Sequence, residues 1–333
     1  MDHSPVLGLV MVVLGGFFQA LFMLPAKWCR NWKFEHVWLA FSLFCYFLIP
    51  WLIVLFCVPD VAGIIRATPL HTLLMMALYA TGWALAALGF GIGVSAIGLS
   101  LGFAIIFGLA AFVGALVPLL TSNSGSALKF VLILSCLVLM LVGVGLCSFA
   151  GRWREQQTTL DRSRYLRGVI FCICSGLLGA TGNLAFGAGT GMAEVGLTRG
   201  LSSFAASSLV LACLCLFMFL FNGGYAVILL IRNSSFPLLG RGNLHYFAFA
   251  AAMGVIWMAS FLLYGMGSAK LGNLGLSLGW GVFMCTVVAS ANIVGIFSGE
   301  WRNAPASAMR QLAAGLVVLM LAIAGLAASN AMA

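Results

Sequence analysis

Two carboxamide side chains lie in strongly apolar stretches of the chain. Gln19 and Asn183 each follow a Leu-Gly pair by a similar interval, Leu14-Gly15 in one case and Leu178-Gly179 in the other. A carboxamide surrounded by apolar groups is costly unless it forms hydrogen bonds. Two interpretations follow. The amides face each other across a central cavity and bind the hydroxyls or carbonyls of a polar solute, or each bonds to a neighbouring helix.

Four aromatic side chains could line the same cavity. Trp83 stands seven residues before Phe90-Gly91-Ile92-Gly93, and Trp257 stands seven residues before Tyr264-Gly265-Met266-Gly267. With Tyr264 and Trp280 they offer flat ring faces and a polar edge, which suit stacking on a sugar or a cation. The alternative is an interfacial anchor. The position of both tryptophans inside apolar stretches is the argument for a cavity role.

Three further residues carry weaker signals. Ser277 recurs with Ser100 in a repeated segment, although serine often bonds to its own helix backbone. Asn292 is a third carboxamide in an apolar stretch and is included as a substrate-binding candidate. Glu194, expected just beyond the sixth helix and five residues before Arg199, is either a protonatable site or a solvated loop charge.

The composition determines what kind of element positions these residues. Hydrophobic residues make up 63% of the 333 and charged residues 7%, far below the quarter typical of soluble domains. Backbone groups in lipid must bond within their own segment, and the apolar runs do not alternate as barrel strands would. We therefore predict an all-α polytopic membrane protein. No nucleotide motif, metal constellation or nucleophile with a base occurs, so we expect no enzyme and no cofactor.

Charged residues, Pro and Gly divide the chain into ten predicted transmembrane helices. Helices three and four are expected to meet at a short glycine-rich turn, Gly89–Gly93. Each span is long enough to cross the hydrocarbon layer of a bilayer. The predicted spans are 5–26, 37–58, 70–90, 96–120, 128–150, 167–189, 202–231, 245–267, 273–297 and 307–329.

The charged residues predict the orientation. A basic segment at 151–167 carries five arginines and separates the two halves of the chain. By the predicted spans, twelve Lys and Arg lie on the same side of the membrane as this linker, and four lie on the opposite side. The positive-inside rule places the linker in the cytoplasm and both termini outside. The net charge of +9 thus reports orientation and does not indicate nucleic-acid binding.

The two halves repeat each other. Gly98-Leu-Ser-Leu-Gly-Phe103 recurs as Gly275-Leu-Ser-Leu-Gly-Trp280, and the paired tryptophans and carboxamides recur at similar offsets. This repeat relates residues 1–150 to 168–333. Five helices are an odd number, so the second half enters the membrane the opposite way up. Such a 5+5 inverted repeat is typical of transporters whose site lies between the repeats near the midplane.

Several motifs resemble one family. These motifs are Leu14-Gly15, Pro25-Ala-Lys-Trp-Cys-Arg-Asn-Trp32 with Trp38, Ile49-Pro50-Trp51, Trp83, Gly98 to Gly102, Trp257, Phe261, Tyr264, Trp280, Ile293-Val-Gly and Glu300-Trp301. In these motifs the chain resembles the L-rhamnose–proton symporter family, within the drug/metabolite transporter superfamily.

The resemblance implies a sugar–proton symporter of the inner membrane that works by alternating access. The chain departs from the family where Ala87 and Gly89 replace asparagines and where Leu274–Leu278 is more apolar. One alternative is therefore an exporter of the same fold with a more apolar substrate, and a second is a non-transporting sensor or assembly subunit. The expected partners are a small solute, protons and the bilayer, with a homodimer as an open alternative.

Reporter fusions test the orientation. A C-terminal alkaline phosphatase fusion should be active and a C-terminal green fluorescent protein fusion dark, because the charge bias places the C-terminus outside. Fusions truncated in the 151–167 linker should give the opposite pair of signals. A fluorescent C-terminal fusion would contradict the predicted topology.

Overall fold

The computed structural model describes residues 4–97, 99–122, 126–154, 162–240 and 244–331. Within these ranges the chain is helical and contains no β-strand. Ten helices in this part of the chain are long and apolar enough to cross a membrane, as the composition predicts. We number them α1 (Pro5–Leu21), α2 (Phe34–Cys57), α3 (Leu70–Ile97), α4 (Leu99–Thr121), α5 (Ala127–Arg154), α6 (Tyr165–Thr198), α7 (Ser203–Arg232), α8 (Leu244–Lys270), α9 (Gly275–Phe297) and α10 (Ala306–Ala331).

Two predicted boundaries differ most from the structure. The glycine-rich segment expected to form a turn at Gly89–Gly93 continues α3 as helix to Ile97, and the later Gly98 lies outside the described residues. Glycines in this helix allow close packing, since a Cβ at Gly93 would lie 2.6 Å from the sulfur of Cys172 on α6. Helix α6 also extends nine residues beyond its predicted end at 189 and ends at Thr198.

The predicted linker at 151–167 is partly helical. Helix α5 continues to Arg154, and the helical segment that leads into α6 begins at Arg162, so both ends of the 151–167 segment are helical. Residues 155–161, with Glu155 and Asp161, lie outside the described residues.

The helices pack in a regular set of pairs. Helix α1 lies against α8 and α9, while α6 lies against α3 and α4. Helices α4 and α9 contact each other across the centre, and α5 and α10 pack along one another. Helix α2 packs against α7 and α8. The largest buried cluster lies where α1, α4, α8 and α9 meet, and it contains most of the aromatic residues singled out by sequence.

The contact between α1 and α8 depends on bare backbone. A Cβ at Gly8 would lie 2.8 Å from the carbonyl oxygen of Gly267, and a Cβ at Gly15 would lie 2.7 Å from that of Ser260. Any larger residue would push the two helices apart, because backbone atoms cannot move aside as a flexible side chain can. The pairing also shows that the two helices are antiparallel and sets their register.

Helices α2 and α7 each contain a π-helical turn near their middle, at Leu43–Leu48 and Phe219–Gly223. In α2 this turn precedes Pro50, whose nitrogen cannot donate to the carbonyl four residues earlier. Such turns loosen the regular hydrogen-bond ladder and often occur at functional positions in membrane and soluble helices. Both helices therefore have a natural bending point.

Candidate functional site

The buried amide of Asn183 joins four helices. Helix α6 is interrupted around Ala180 and Gly189, and Asn183 lies in the short helical segment between these points, with no exposed surface. Its Nδ2 donates to the carbonyl oxygens of Gly114 on α4 at 2.7 Å and Leu276 on α9 at 2.9 Å. Its Oδ1 accepts a hydrogen bond from the hydroxyl of Tyr264 on α8. Both amide hydrogens are therefore used within the protein.

A proline explains why α4 needs this partner. Pro118 lies inside α4, four residues after Gly114, and it has no N–H to donate to the Gly114 carbonyl. An unpaired carbonyl inside a bilayer costs free energy because no water can replace the lost bond. The side chain of Asn183 supplies the missing donor from another helix. This is the bonding to neighbouring helices that was one of the two interpretations from sequence.

The indole of Trp280 contacts the same part of α4. Its Nε1 donates to the carbonyl oxygen of Ala110 at 3.0 Å, and the ring lies against Gly114. A Cβ at Gly114 would lie only 2.9 Å from Cδ1 of the indole, so glycine permits this approach. The polar edge of Trp280 is thus bonded inside the protein, and its ring packs edge-on against Tyr264, with centroids 5.4 Å apart.

The structure brings the two repeated tryptophans together. The rings of Trp83 on α3 and Trp257 on α8 are stacked with centroids 5.8 Å apart and planes inclined by 25°. Phe261 packs against both, at 5.0 Å from Trp83 and 4.4 Å from Trp257. Trp257 is 3% exposed, and Trp83 is half-buried with its ring over Gly182 of α6. We call Trp83, Trp257, Phe261, Tyr264 and Trp280 the aromatic cluster.

Gln19 differs from Asn183 in having an unused polar atom. Its Oε1 is buried and has no hydrogen-bond partner among the described residues. The antiparallel register of α1 and α8 places Gln19 level with Ile256 and Trp257, one turn beyond Gly15. A buried, unpaired carbonyl in a protein interior calls for an explanation, such as a ligand that binds in another state.

The two remaining substrate-binding candidates, Ser277 and Asn292, differ in their surroundings. Ser277 is buried on α9, next to Leu276, and its Oγ has no partner in the described part of the chain. Asn292 instead donates to its own helix at Val288, at 2.8 Å, and lies away from the aromatic cluster. It faces a cavity of about 240 Å³ between α4, α5 and α9, which is lined by Phe103, Phe107, Val144, Cys147, Ser148, Gly151, Val287, Val288, Ala291, Asn292, Glu300 and Trp301.

Glu194 is not in a loop. The extension of α6 places it on the last helical segment, Thr190–Thr198, where its side chain is exposed. Arg199, its expected neighbour, pairs instead with Asp60 at 3.2 Å, and both groups of this pair are largely exposed. Its role in proton coupling stays a prediction.

Two buried ionisable residues at the start of α2 are not among the candidates from sequence. Helix α2 begins at Phe34, three residues earlier than predicted, so Glu35 and His36 belong to its first turn. They are 4% and 0% exposed, respectively. Both residues therefore belong to the helix and not to the loop before it, where the predicted span 37–58 left them. Their position next to a basic loop made them resemble ordinary loop charges.

The comparisons with known proteins agree on one family. The sequence model of the L-rhamnose-proton symport protein family matches residues 1–331. The L-rhamnose-proton symporter of Mannheimia succiniciproducens is 26% identical over 99% of this chain and 100% of its own length. Those of Shigella boydii serotype 18 and Citrobacter koseri are 24% identical and cover 99% and 97% of this chain, and 100% and 97% of their own lengths.

A double-mutant cycle tests the role assigned to Asn183. The variant Asn183→Ala should be strongly destabilised, because it leaves the Gly114 carbonyl and the Tyr264 hydroxyl without their partner at a cost of about 1–3 kcal/mol each. In a Pro118→Ala background the loss should be smaller, because the new N–H of residue 118 can bond to Gly114. Unfolding of the purified protein in detergent measures both losses. Equal losses in the two backgrounds would refute the link between Pro118 and Asn183.

Proposed function

Because the chain belongs to the L-rhamnose-proton symport protein family, we propose that it carries L-rhamnose, or a closely similar sugar, across the inner membrane together with protons. The observation that carries this proposal is the family match over residues 1–331, on a chain with ten helices able to span a membrane. The relatives match this chain over their full length, and they are named L-rhamnose-proton symporters. An exporter and a non-transporting sensor are not favoured.

The packing supports alternating access between two repeats. The pairs α1–α8 and α1–α9 correspond to α6–α3 and α6–α4 when the halves are exchanged, and α2 and α7 both contain a π turn. This correspondence supports the inverted 5+5 repeat of residues 1–150 and 168–333. Placement in the drug/metabolite transporter superfamily, an outer location of both termini and a homodimer stay predictions.

We infer that the sugar binds at the aromatic cluster when the halves separate. Trp83 belongs to the first half and Trp257 to the second, so a relative movement of the halves would part the stacked rings. A 6-deoxy sugar has an apolar face that can stack on an indole and hydroxyls that need partners. The unpaired Oε1 of Gln19 and the unpaired Oγ of Ser277 are available for them.

Asn183 supports this site differently from Gln19. Its amide hydrogens bond to α4 and α9 in the described state. Its amide oxygen accepts a hydrogen bond from Tyr264, and through this bond Asn183 positions the aromatic cluster. Asn292 and Ser148 lie in the separate cavity between α4, α5 and α9. That cavity lies near the end of the molecule that carries Glu300, where the basic loops are located, and we propose that it belongs to the cytoplasmic path of the sugar.

Transport in proteoliposomes tests the function. An inward proton gradient should drive accumulation of radiolabelled L-rhamnose, and added L-rhamnose should alkalinise the external medium as protons enter. Collapse of the gradient with a protonophore should abolish accumulation. The absence of a response to L-rhamnose and to a panel of related sugars would reject sugar symport and favour a more apolar substrate.

A substitution at Gln19 tests the binding site. Gln19→Ala should raise the KM for L-rhamnose by about 10-fold, which corresponds to the loss of roughly one hydrogen bond, near 1.4 kcal/mol. Thermal stability should stay unchanged or rise, because the amide oxygen has no partner to lose. Gln311→Ala on α10, away from the cluster, is the matched control. A normal KM for Gln19→Ala would exclude Gln19 from the site.

A further inference from the structure

Helices α2 and α7 are joined by polar contacts at one end of the molecule. The indole Nε1 of Trp38 donates to Oδ1 of Asn222 at 3.3 Å. Nearer the end of the helices, Nδ2 of Asn233 and the hydroxyl of Ser235 both donate to Oε1 of Glu35, each at 3.0 Å. We call this set of contacts the α2–α7 seam. It connects the first half of the chain to the second.

His36 completes the seam. Its Nδ1 accepts a hydrogen bond from the backbone N–H of Lys33 at 3.2 Å, so the proton of the neutral ring is on Nε2. That nitrogen donates to the carbonyl oxygen of Ser235 at 2.9 Å. Ser235 is therefore held twice, through its hydroxyl by Glu35 and through its carbonyl by His36. The end of α7 cannot leave α2 while both contacts persist.

Glu35 and His36 are unusual among the ionisable groups. In the described ranges they are the only Asp, Glu, His, Lys or Arg side chains that are buried. Asp60 and Glu300 lie in exposed ion pairs, and Glu194 is exposed. A buried ionisable group in a helix that can span a membrane is costly and commonly marks a functional position. Among the described acids, Glu35 is therefore the one whose access to water is controlled by the packing of the helices.

The geometry around Glu35 suits its ionised form. Two donors converge on one oxygen, and an ionised carboxylate only accepts hydrogen bonds. A proton on this carboxyl turns one oxygen into a donor and weakens its capacity to accept. The contacts of Asn233 and Ser235 then lose strength together. Protonation thus acts directly on the link between the two halves.

The turn after α7 is backbone-strained in this arrangement. Ser234 has φ of +48°, and it is the single non-glycine residue with positive φ in the described part of the chain. Residues other than glycine rarely adopt this conformation without support from their surroundings. Asn233 and Ser235, which flank Ser234, supply that support through Glu35. Loss of these contacts would let the turn relax.

The other titratable groups near the seam are bases or neutral groups. Burial raises the pKa of the Cys29 thiol, so it stays uncharged near neutral pH. At this end of the elements that pack here, the titratable and charged groups are Cys29, Arg30, Lys33 and His36 on the α2 side, Arg232 on α7, and His245 and Tyr246 at the start of α8. Glu35 is the one acid on these described segments.

We propose that Glu35 is a proton-binding residue of the symport, an inference that rests on the proposed function. With Glu35 ionised, the seam is closed. A proton that comes from the outer side through the central cavity binds to the carboxyl and releases Asn233 and Ser235, and α7 then moves away from α2 about the two π turns. The proton must return to water before the seam can close again. The charge bias predicts that this end faces the cytoplasm, so closure after sugar release requires proton release inside.

Two transport assays separate coupling from binding. Glu35→Gln keeps the size and the accepting oxygen of the side chain but cannot titrate. Counterflow of L-rhamnose, which needs no net proton movement, should stay within about twofold of the wild type. Accumulation driven by a proton gradient should fall at least 10-fold. Asp60→Asn, which also removes an acid but at an exposed ion pair, should leave both activities unchanged.

The inference is overturned if Glu35→Gln still accumulates sugar with the proton gradient, or if Glu194→Gln uncouples transport and Glu35→Gln does not. The variant Ser235→Ala gives a second test, because it retains the carboxyl and removes one donor to its ionised form. Its pH profile of uptake should shift to higher pH. A profile identical to that of the wild type would also count against the proposal.

A readout without sugar keeps this inference separate from the proposed function. The closed seam is stabilised by ionised Glu35, so this contribution is present at neutral pH and is lost as the pH falls. The difference in melting temperature between the wild type and Glu35→Gln should therefore depend on pH. A difference that is constant from pH 3 to pH 8 overturns the inference about Glu35. Failure of wild-type L-rhamnose transport alone overturns the proposed function.

Discussion

The hydrogen bonds of one buried amide hold the centre of this protein together. In lipid, a carbonyl that loses its helical partner cannot turn to water, and Pro118 removes the partner of Gly114 inside α4. Asn183 replaces that partner from α6 and at the same time bonds to α8 and α9. The carbonyl that Pro118 leaves unpaired in α4 is thus bonded to a residue that connects four helices. Because Asn183 belongs to the second half and Gly114 to the first, the same bond also joins the halves.

The aromatic cluster depends on this connection. Tyr264 is oriented by its bond to Asn183, and Trp280 reaches the Ala110 carbonyl over the bare backbone of Gly114. Trp83 lies over Gly182, one residue before Asn183, and stacks on Trp257. Gly114 and Gly182 let indole rings approach the helix backbone, and Pro118 leaves a carbonyl that a side-chain amide can bond. These residues therefore have a common effect. The result is a dense centre whose stacked tryptophans come from different halves.

The polar contacts fall into two kinds with different consequences. Those of Asn183 involve neutral groups and do not change between pH 4 and pH 8. Those of the α2–α7 seam involve the carboxylate of Glu35 and the ring of His36, which are ionisable groups. A carrier that couples sugar to protons needs both kinds. The bonds from Asn183 to Leu276 and Tyr264 keep the second half intact as it moves, and a titratable contact at one end makes the movement depend on protons.

The sequence alone determined the class of fold, the number of helices and the family, because hydropathy, charge distribution and motifs are properties of the chain itself. It also singled out Asn183, Trp83, Trp257, Tyr264 and Trp280, since isolated polar or aromatic groups stand out in an apolar sequence. Only the tertiary structure decided what they contact. The bond from Asn183 to Gly114 joins residues 69 positions apart, and the Trp83–Trp257 stack depends on the packing of two halves. The burial of Glu35 could not be predicted, because it depends on the turn after α7, where Ser235 lies 200 residues further along the chain, and no local pattern records that contact.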